Sequence, residues 1–320
     1  MAEPHVEPVP LPTGPSRVPW PAVGAFVVLA YGLGWLVCLP LWLSGGLANP
    51  LAPVLLILLM FTPGISAVVV IRFMQRPQPK PMLAYLGMWP LQPVGRTILL
   101  AVVGLFGSVL VAVASVLLAA AVGVVKLDLV GFSGFATIIQ RQLEATGSTS
   151  GLPLPIGALV LAQLAAIPIG ALINSVFAFG EELGWRGWLL PSLRPLGTWP
   201  ALVLSGAIWG LWHSPVILLG YNFGQPNLLG VLYMTLGCAF YGVLIGWLRL
   251  RSASVWPAAI AHGAFNASAG VGAMLMAAGS PGSPVDFLPL GWPGWIVCAV
   301  LAVVLALTGQ MGKQPALVRR

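Results

Sequence analysis

The feature that most constrains this chain is a series of long segments without Asp, Glu, Lys or Arg. Two of them, residues 18–71 and 195–248, are 54 residues long, and internal turn signals divide each into two. The other uncharged segments are 97–125, 145–180, 252–285 and 287–312. A transmembrane helix needs about 20 mostly apolar residues, so each half and each shorter segment is long enough for one span. The pattern predicts an all-α, polytopic membrane protein with about eight transmembrane helices.

The amino-acid composition also indicates a helical membrane protein and excludes other classes of protein. Only 7% of the residues are charged, against about 25% in soluble domains, which excludes a soluble enzyme, a disordered chain and a nucleic-acid binder. Uncharged runs of this length also differ from the ten-residue alternating segments of a membrane β-barrel. Pro168 and Pro215 predict kinks in the fourth and fifth spans. The predicted spans are 21–43, 51–72, 97–124, 153–179 (continuing as a helix to about 190), 199–219, 228–248, 255–278 and 288–309.

The segments outside the spans complete the predicted organisation. Residues 1–19 are polar and proline-rich and predict a disordered cytoplasmic tail, and residues 311–320 predict a basic cytoplasmic tail. Residues 20–310 are expected to form a single transmembrane helical bundle. Within the loops, residues 131–145 place apolar side chains near helical spacing, which predicts a short interfacial helix.

The distribution of Lys and Arg predicts the orientation of the chain. With the amino terminus in the cytoplasm, eleven Lys and Arg residues lie in inside segments, and only Lys126 and Arg141 lie in outside segments. Short cytoplasmic loops of membrane proteins carry such an excess of positive charge. The prediction is a multi-pass protein of the cell membrane with both termini in the cytoplasm.

Two glutamates and two histidines lie in predicted membrane helices and need an explanation. Glu181 and Glu182 are adjacent in the fourth helix, and His213 and His262 lie in the fifth and seventh. A charged group at the bilayer centre costs about 2.5–3.5 kcal/mol even on the most lenient scale. Counted from the cytoplasmic span ends, Glu181 and both histidines lie at depths of roughly 16–21 Å. Three helices are therefore expected to form one buried polar site that opens towards the cytoplasmic half.

Local spacing within the helices adds detail to this site. Glu182 and Arg186 are four residues apart and share a helix face, so the guanidinium can neutralise that carboxylate. Glu181 points away from this face and is free for other chemistry. His262 and Asn266 have the same spacing, so an imidazole and an amide project together.

Two carboxylates, two imidazoles and an amide at one depth suit the activation of water. In one arrangement, a glutamate is the general base, and His and Asn donate hydrogen bonds to a developing oxyanion. In the other, Glu181, His213 and His262 bind a divalent metal such as zinc, and the second glutamate is the base. The chain has no HExxH motif, and both arrangements use the same residues. A metal-free glutamate mechanism and a metal-dependent one are therefore equally open.

Three motifs stand in order on separate predicted helices. FGEELGWRG at 179–187 carries the pattern EExxxR, and HGAFN at 262–266 carries HxxxN. IWGLWH at 208–213 is similar to FxxxH, with Trp209 in the place of Phe. The set, within about 150–275, resembles the CAAX protease and bacteriocin-processing (CPBP, Abi) family of intramembrane metalloproteases. The eight-span layout resembles that of its type II CAAX prenyl endopeptidase member.

The resemblance implies roles for individual residues. It marks five as catalytic: Glu181, Glu182, His213, His262 and Asn266. Water would be activated by Glu181 with His213, while His262 and Asn266 would stabilise the oxyanion or, in a metalloprotease, His262 would be a ligand. Two further residues would support the site: Arg186, which would hold the second glutamate, and Trp209, which would keep an aromatic wall.

The predicted function is an intramembrane endopeptidase, similar to CAAX proteases, that hydrolyses a peptide bond on the cytoplasmic side of the membrane. Its expected partners are a peptide or membrane-protein substrate and the lipid bilayer. One alternative is a non-catalytic membrane scaffold, including a bacteriocin-immunity protein. Another is a proton-coupled transporter, since buried Glu and His residues also form proton relays. Structural roles are the further alternative: an ion pair with Arg186, packing of the histidines, and an Asn266 bond to a neighbouring helix.

Overall fold

The part of the chain that the structure describes consists of helices and the turns and loops that join them. The computed structural model describes residues 15–75, 82–147 and 151–312. Apart from one isolated antiparallel bridge between Leu127 and Met276, these ranges contain no β structure. The predicted all-α class is confirmed. Most of the two predicted tails, 1–14 and 313–320, lies outside the described residues.

The helices follow the uncharged segments of the sequence. In chain order they are α1 (Trp20–Leu43), α2 (Ala52–Met74), α3 (Met82–Tyr85), α4 (Val94–Ala121), α5 (Ser133–Ala145), α6 (Ile156–Glu182), α7 (Leu190–Leu193), α8 (Thr198–Trp212), α9 (Ser214–Ile217), α10 (Leu228–Ser252), α11 (Trp256–Ser268), α12 (Val271–Leu275), α13 (Pro284–Phe287) and α14 (Trp292–Leu307). A π-helical segment, Leu183–Leu189, joins α6 to α7. Helix α5 confirms the helix predicted over 131–145, and its place at the interface stays a prediction.

Six helical stretches among the described residues are long and apolar enough to cross a membrane, by length and composition. They are Trp20–Leu43, Ala52–Met74, Val94–Ala121, Ile156–Leu196, Leu228–Ser252 and Pro284–Leu307. The chain is thus a multi-pass membrane protein, but the predicted number of about eight spans is not confirmed. The segments predicted as spans over 199–219 and 255–278 form α8 and α11, which have only 15 and 13 residues.

These two segments are shorter because the backbone breaks inside each uncharged run. Helix α8 ends at Trp212, and α9 starts at Ser214 with Pro215, which has no N–H for a helical hydrogen bond. Near the kink predicted at Pro215, the α-helical bonding is interrupted at His213, whose N–H bonds to the Gly210 carbonyl three residues earlier. Helix α11 ends at Ser268, where the chain turns before α12. A count of uncharged residues does not detect such breaks.

The π-helical segment leaves one carbonyl without a backbone donor. The N–H of Leu190 bonds to the carbonyl of Trp185, five residues earlier, so it does not reach the carbonyl of Arg186. Pro191, the next residue, has no N–H to offer. Nε of the buried Arg249 on α10 donates to the Arg186 carbonyl instead, at 3.0 Å. A side chain from another helix thus completes the backbone hydrogen bonding of the segment that follows the two glutamates.

Close packing at glycines holds the motif-bearing helices against their neighbours. A Cβ on Gly180 of α6 would lie 2.9 Å from the carbonyl oxygen of Met60 on α2. A Cβ on Gly206 of α8 would lie 2.8 Å from Cα of Ala239 on α10. Small residues let helix backbones approach this closely in a membrane. The contacts position α6, which carries Glu181, and α8, which leads to His213.

We expect Gly206→Ala to destabilise the protein by about 1–3 kcal/mol, because the added methyl group must displace the backbone of α10. The matched control is Gly107→Ala on α4, where a Cβ would meet nothing within 4 Å. The measurement is thermal unfolding of both variants in the same detergent. Equal midpoints for the two variants would contradict the packing argument.

Candidate active site

A cavity of about 410 Å³ lies among α2, α6, α8, α10, α11 and the segment before α14. Five of the seven predicted site residues line it: Glu181, Trp209, His213, His262 and Asn266. The other two, Glu182 and Arg186, are fully buried and do not line it. Binding sites of small molecules are commonly concave, mostly apolar and of this size, with a few convergent polar groups.

Glu181 presents one carboxylate oxygen to this cavity. It lies at the end of α6 and is only 3% exposed. The indole N–H of Trp209 donates to its Oε2 at 2.7 Å. Its Oε1 has no hydrogen-bond partner among the described residues. This oxygen is therefore available to a water molecule or a substrate in the cavity.

Glu182 makes different contacts from its neighbour. Its Oε1 accepts from Nη1 of Arg186 at 2.8 Å and from Nδ1 of His262 at 2.9 Å. The i,i+4 contact with the arginine is the one that the spacing predicts. An ionised carboxylate only accepts hydrogen bonds, so Nδ1 of His262 carries a proton and Nε2 is the ring atom left for the cavity. Carboxylates that bond to one ring nitrogen orient histidines in this way at many functional sites.

His213 is oriented by the backbone of its own helix. Its Nδ1 lies 3.0 Å from the carbonyl oxygen of Trp209. A carbonyl oxygen only accepts, so Nδ1 donates, and in the neutral ring Nε2 has the free lone pair. The ring packs edge-on against Trp212, with centroids 4.7 Å apart. The break after α8 thus leaves an imidazole with its unprotonated nitrogen beside the cavity.

Trp209 contacts three of the predicted site residues: Glu181, Arg186 and His262. Besides the bond to Glu181, its ring lies 4.3 Å below Cζ of Arg186, which is a cation–π contact. The ring also packs edge-on against His262, with centroids 5.1 Å apart. An aromatic wall was predicted at this position, and the hydrogen bond to Glu181 was not.

Other polar residues of the cavity were not predicted. Asn174, Tyr221 and Asn222 line it together with Asn266, which is half-buried. Asn174 lies seven residues before Glu181, a spacing that puts both on one face of α6 and would have identified it. Tyr221 and Asn222 belong to the turn after α9, where no helical spacing marks them.

The three side chains predicted to bind a metal do not form a ligand group in the described part of the structure. Within the ranges described, no three or more His, Cys, Asp or Glu side chains form a group that could hold a metal ion. Glu181, His213 and His262 share the cavity, and the bonds that they make leave one polar atom of each without a bonded partner among the described residues: Oε1 of Glu181 and Nε2 of both histidines. A metal-dependent mechanism stays a prediction from the resemblance.

The motif-bearing part of the chain matches known proteins. Residues 159–268 match the family described as Type II CAAX prenyl endopeptidase Rce1-like, and this range contains all three motifs. Over 77 residues the chain is 33% identical to CAAX prenyl protease 2 of Methanococcus maripaludis. That alignment covers 22% of this chain and 28% of the archaeal protein, so the chain spans little more than a quarter of this relative's length. The resemblance predicted from the three motifs is thus confirmed: over residues 159–268 the chain is similar to the Rce1-like CAAX prenyl endopeptidases.

Proposed function

We propose that this protein is an intramembrane endopeptidase that hydrolyses a peptide bond with water activated by Glu181. The observation that carries the proposal is the free Oε1 of this buried carboxylate, in one cavity with His213, His262 and Asn266. The name of the archaeal relative favours a prenylated CAAX tail as the substrate, a C-terminal motif in which the cysteine carries the lipid. A peptide or another membrane protein is the wider class.

The first step activates water between two acceptors. A water molecule donates one hydrogen bond to Oε1 of Glu181 and the other to Nε2 of His213. The carboxylate removes a proton as the water oxygen attacks the carbonyl carbon of the scissile bond. The peptide carbonyl becomes a tetrahedral oxyanion, and the glutamic acid holds the proton.

The second step stabilises this oxyanion. Nε2 of His262 and the side-chain amide of Asn266 are the donors that we assign to it. Before the attack, ionised Glu181 and Glu182 with Arg186 carry a net charge of −1, and a second proton on His262 makes the cluster neutral. After the attack the oxyanion carries the charge that Glu181 has lost, so the site stays neutral. Neutrality suits a buried site, because an unbalanced charge is costly there. The histidine is then a cationic donor.

The last step returns the proton. The protonated Glu181 donates it to the nitrogen of the leaving amine as the C–N bond breaks. The products are a carboxylic acid and an amine, and the glutamate is ionised again. This cycle needs only side chains and water.

The test is mass-spectrometric mapping of new peptide termini in membranes from cells with the wild-type protein or Glu181→Gln, at matched expression. We expect termini that require the wild type, and these would identify the substrate and the cut site. The matched control is Glu144→Gln, an exposed glutamate on α5 outside the cavity, which should keep them.

Two outcomes of the same experiment would contradict parts of the proposal. Identical termini with the wild type and Glu181→Gln, both inserted and folded, would favour a non-catalytic scaffold. We expect the termini to persist after treatment with a metal chelator. Their loss on chelation and return with zinc would replace the metal-free mechanism.

A further inference from the structure

Trp209 differs chemically from the residue whose place it takes. In the FxxxH pattern that the chain resembles, this position is Phe, which has no hydrogen-bond donor. Here the indole N–H lies 2.7 Å from Oε2 of Glu181. Both side chains are buried, at 3% exposure each, so water competes little for this bond. Hydrogen bonds to an ionised acceptor are roughly twice as strong as neutral ones.

The indole is held in place from several sides. Arg186 lies over its face at 4.3 Å, and the ring of His262 meets it edge-on at 5.1 Å. Tyr241 of α10 packs near it, with ring centroids 6.5 Å apart. These contacts fix the orientation of the indole ring, so that its N–H points towards the carboxylate of Glu181.

We propose that Trp209 is a positioning residue whose indole N–H fixes Oε2 of Glu181 and so presents Oε1 to water in the cavity. The inference rests on the proposed function, because it assigns the reacting oxygen of the general base. A phenylalanine at this position keeps the wall and the cation–π contact but lets the carboxylate turn. The orientation of Glu181 is then no longer set before the substrate binds, and correct placement of a reacting group accounts for much of catalysis.

The hydrogen bond itself is tested without any enzymatic assay. The protein is labelled with ¹⁵N at the tryptophan indoles, and its 13 tryptophans are observed by NMR in detergent. The Trp209 signal is identified by its loss in Trp209→Phe. Glu181→Gln keeps an acceptor oxygen but removes the charge, so the Trp209 proton should shift upfield while the control signal of Trp256 stays. An unchanged Trp209 signal would overturn the proposal.

The positioning role is tested by kinetics on a fluorescence-quenched peptide that carries a prenylated CAAX sequence. We expect Trp209→Phe to lower kcat by about 10-fold to 100-fold, as for a lost hydrogen bond to a charged group, with KM changed less than about twofold, because Trp209 acts through Glu181. The control is Trp256→Phe, which also loses an indole N–H bond, to the Met88 carbonyl at 3.0 Å, outside the cavity. Equal kcat values for the two variants would overturn the role.

The two measurements separate this inference from the proposed function. An inactive wild-type protein whose Trp209 signal still responds to Glu181→Gln would keep the hydrogen bond and overturn both the function and the positioning role. An active wild type with no such response would keep the function and overturn the inference. If Trp209→Phe does not fold, the loss of one signal in Trp209→Tyr identifies Trp209 instead, and Glu181→Gln then tests the bond from the other partner.

Discussion

Replacing Glu181 by Gln is expected to lower kcat for peptide cleavage by about 10²–10⁴-fold, the range usual for a lost general base. Gln has nearly the same shape, and its side-chain oxygen can still accept from the N–H of Trp209. The variant should therefore fold as the wild type does, with KM little changed. The measurement is cleavage of the same prenylated CAAX peptide by purified protein in detergent or liposomes.

The controls for this prediction are thermal unfolding of the variant and the activity of Glu144→Gln. An unfolding midpoint near that of the wild type shows that the loss is chemical, not structural. Cleavage by Glu181→Gln within threefold of the wild type, at equal folding, would contradict the assignment of this residue as the base.

Replacing Arg186 by Met is expected to lower the free energy of unfolding by about 3–5 kcal/mol, as when one partner of a buried ion pair is removed. The guanidinium is fully buried, bonds to Glu182 at 2.8 Å and lies over the ring of Trp209. Without it, the carboxylate of Glu182 is a buried charge with only His262 as partner. Thermal or denaturant unfolding in detergent measures the loss.

A double variant separates the charge effect from packing. Glu182→Gln with Arg186→Met removes both charges and should be more stable than Arg186→Met alone. The exposed Arg141 on α5 provides the matched single control, Arg141→Met, with an expected change within about 0.5 kcal/mol. If Arg186→Met is no less stable than Arg141→Met, the ion pair contributes no stability.

The meeting of the motif residues could be predicted from the sequence, because charge is so scarce in this chain. Each of Glu181, His213 and His262 stands out against tens of apolar residues, and depth along a helix follows from residue count. That count predicted one site on three helices, and the cavity brings these three side chains together with Asn266. Their catalytic roles stay predictions.

Other features depend on contacts between helices that no local spacing records. The Trp209 bond to Glu181 joins residues 28 positions apart, and the His262 bond to Glu182 joins residues 80 apart. The Arg249 bond to the Arg186 carbonyl depends on a π-helical segment that periodicity does not reveal. Four tryptophans near the site are buried in the core: Trp185, Trp188, Trp209 and Trp212. Tryptophan composition alone does not separate an interfacial belt from a packed core.

The ion pair of Glu182 and Arg186 closes within one continuous helical stretch, and this matters for biogenesis. An i,i+4 pair can form as soon as the helix does, so two of the three charges near the end of α6 neutralise each other before any other helix is present. The insertion cost of about 2.5–3.5 kcal/mol for a central charge then falls mainly on Glu181, which can enter the bilayer protonated.

Helices α8 and α11, with 15 and 13 residues, are shorter than the ~20 residues of an independent span. They would be inserted together with neighbouring helices, so the glutamates would reach the membrane first and the histidines would join them when the bundle closes.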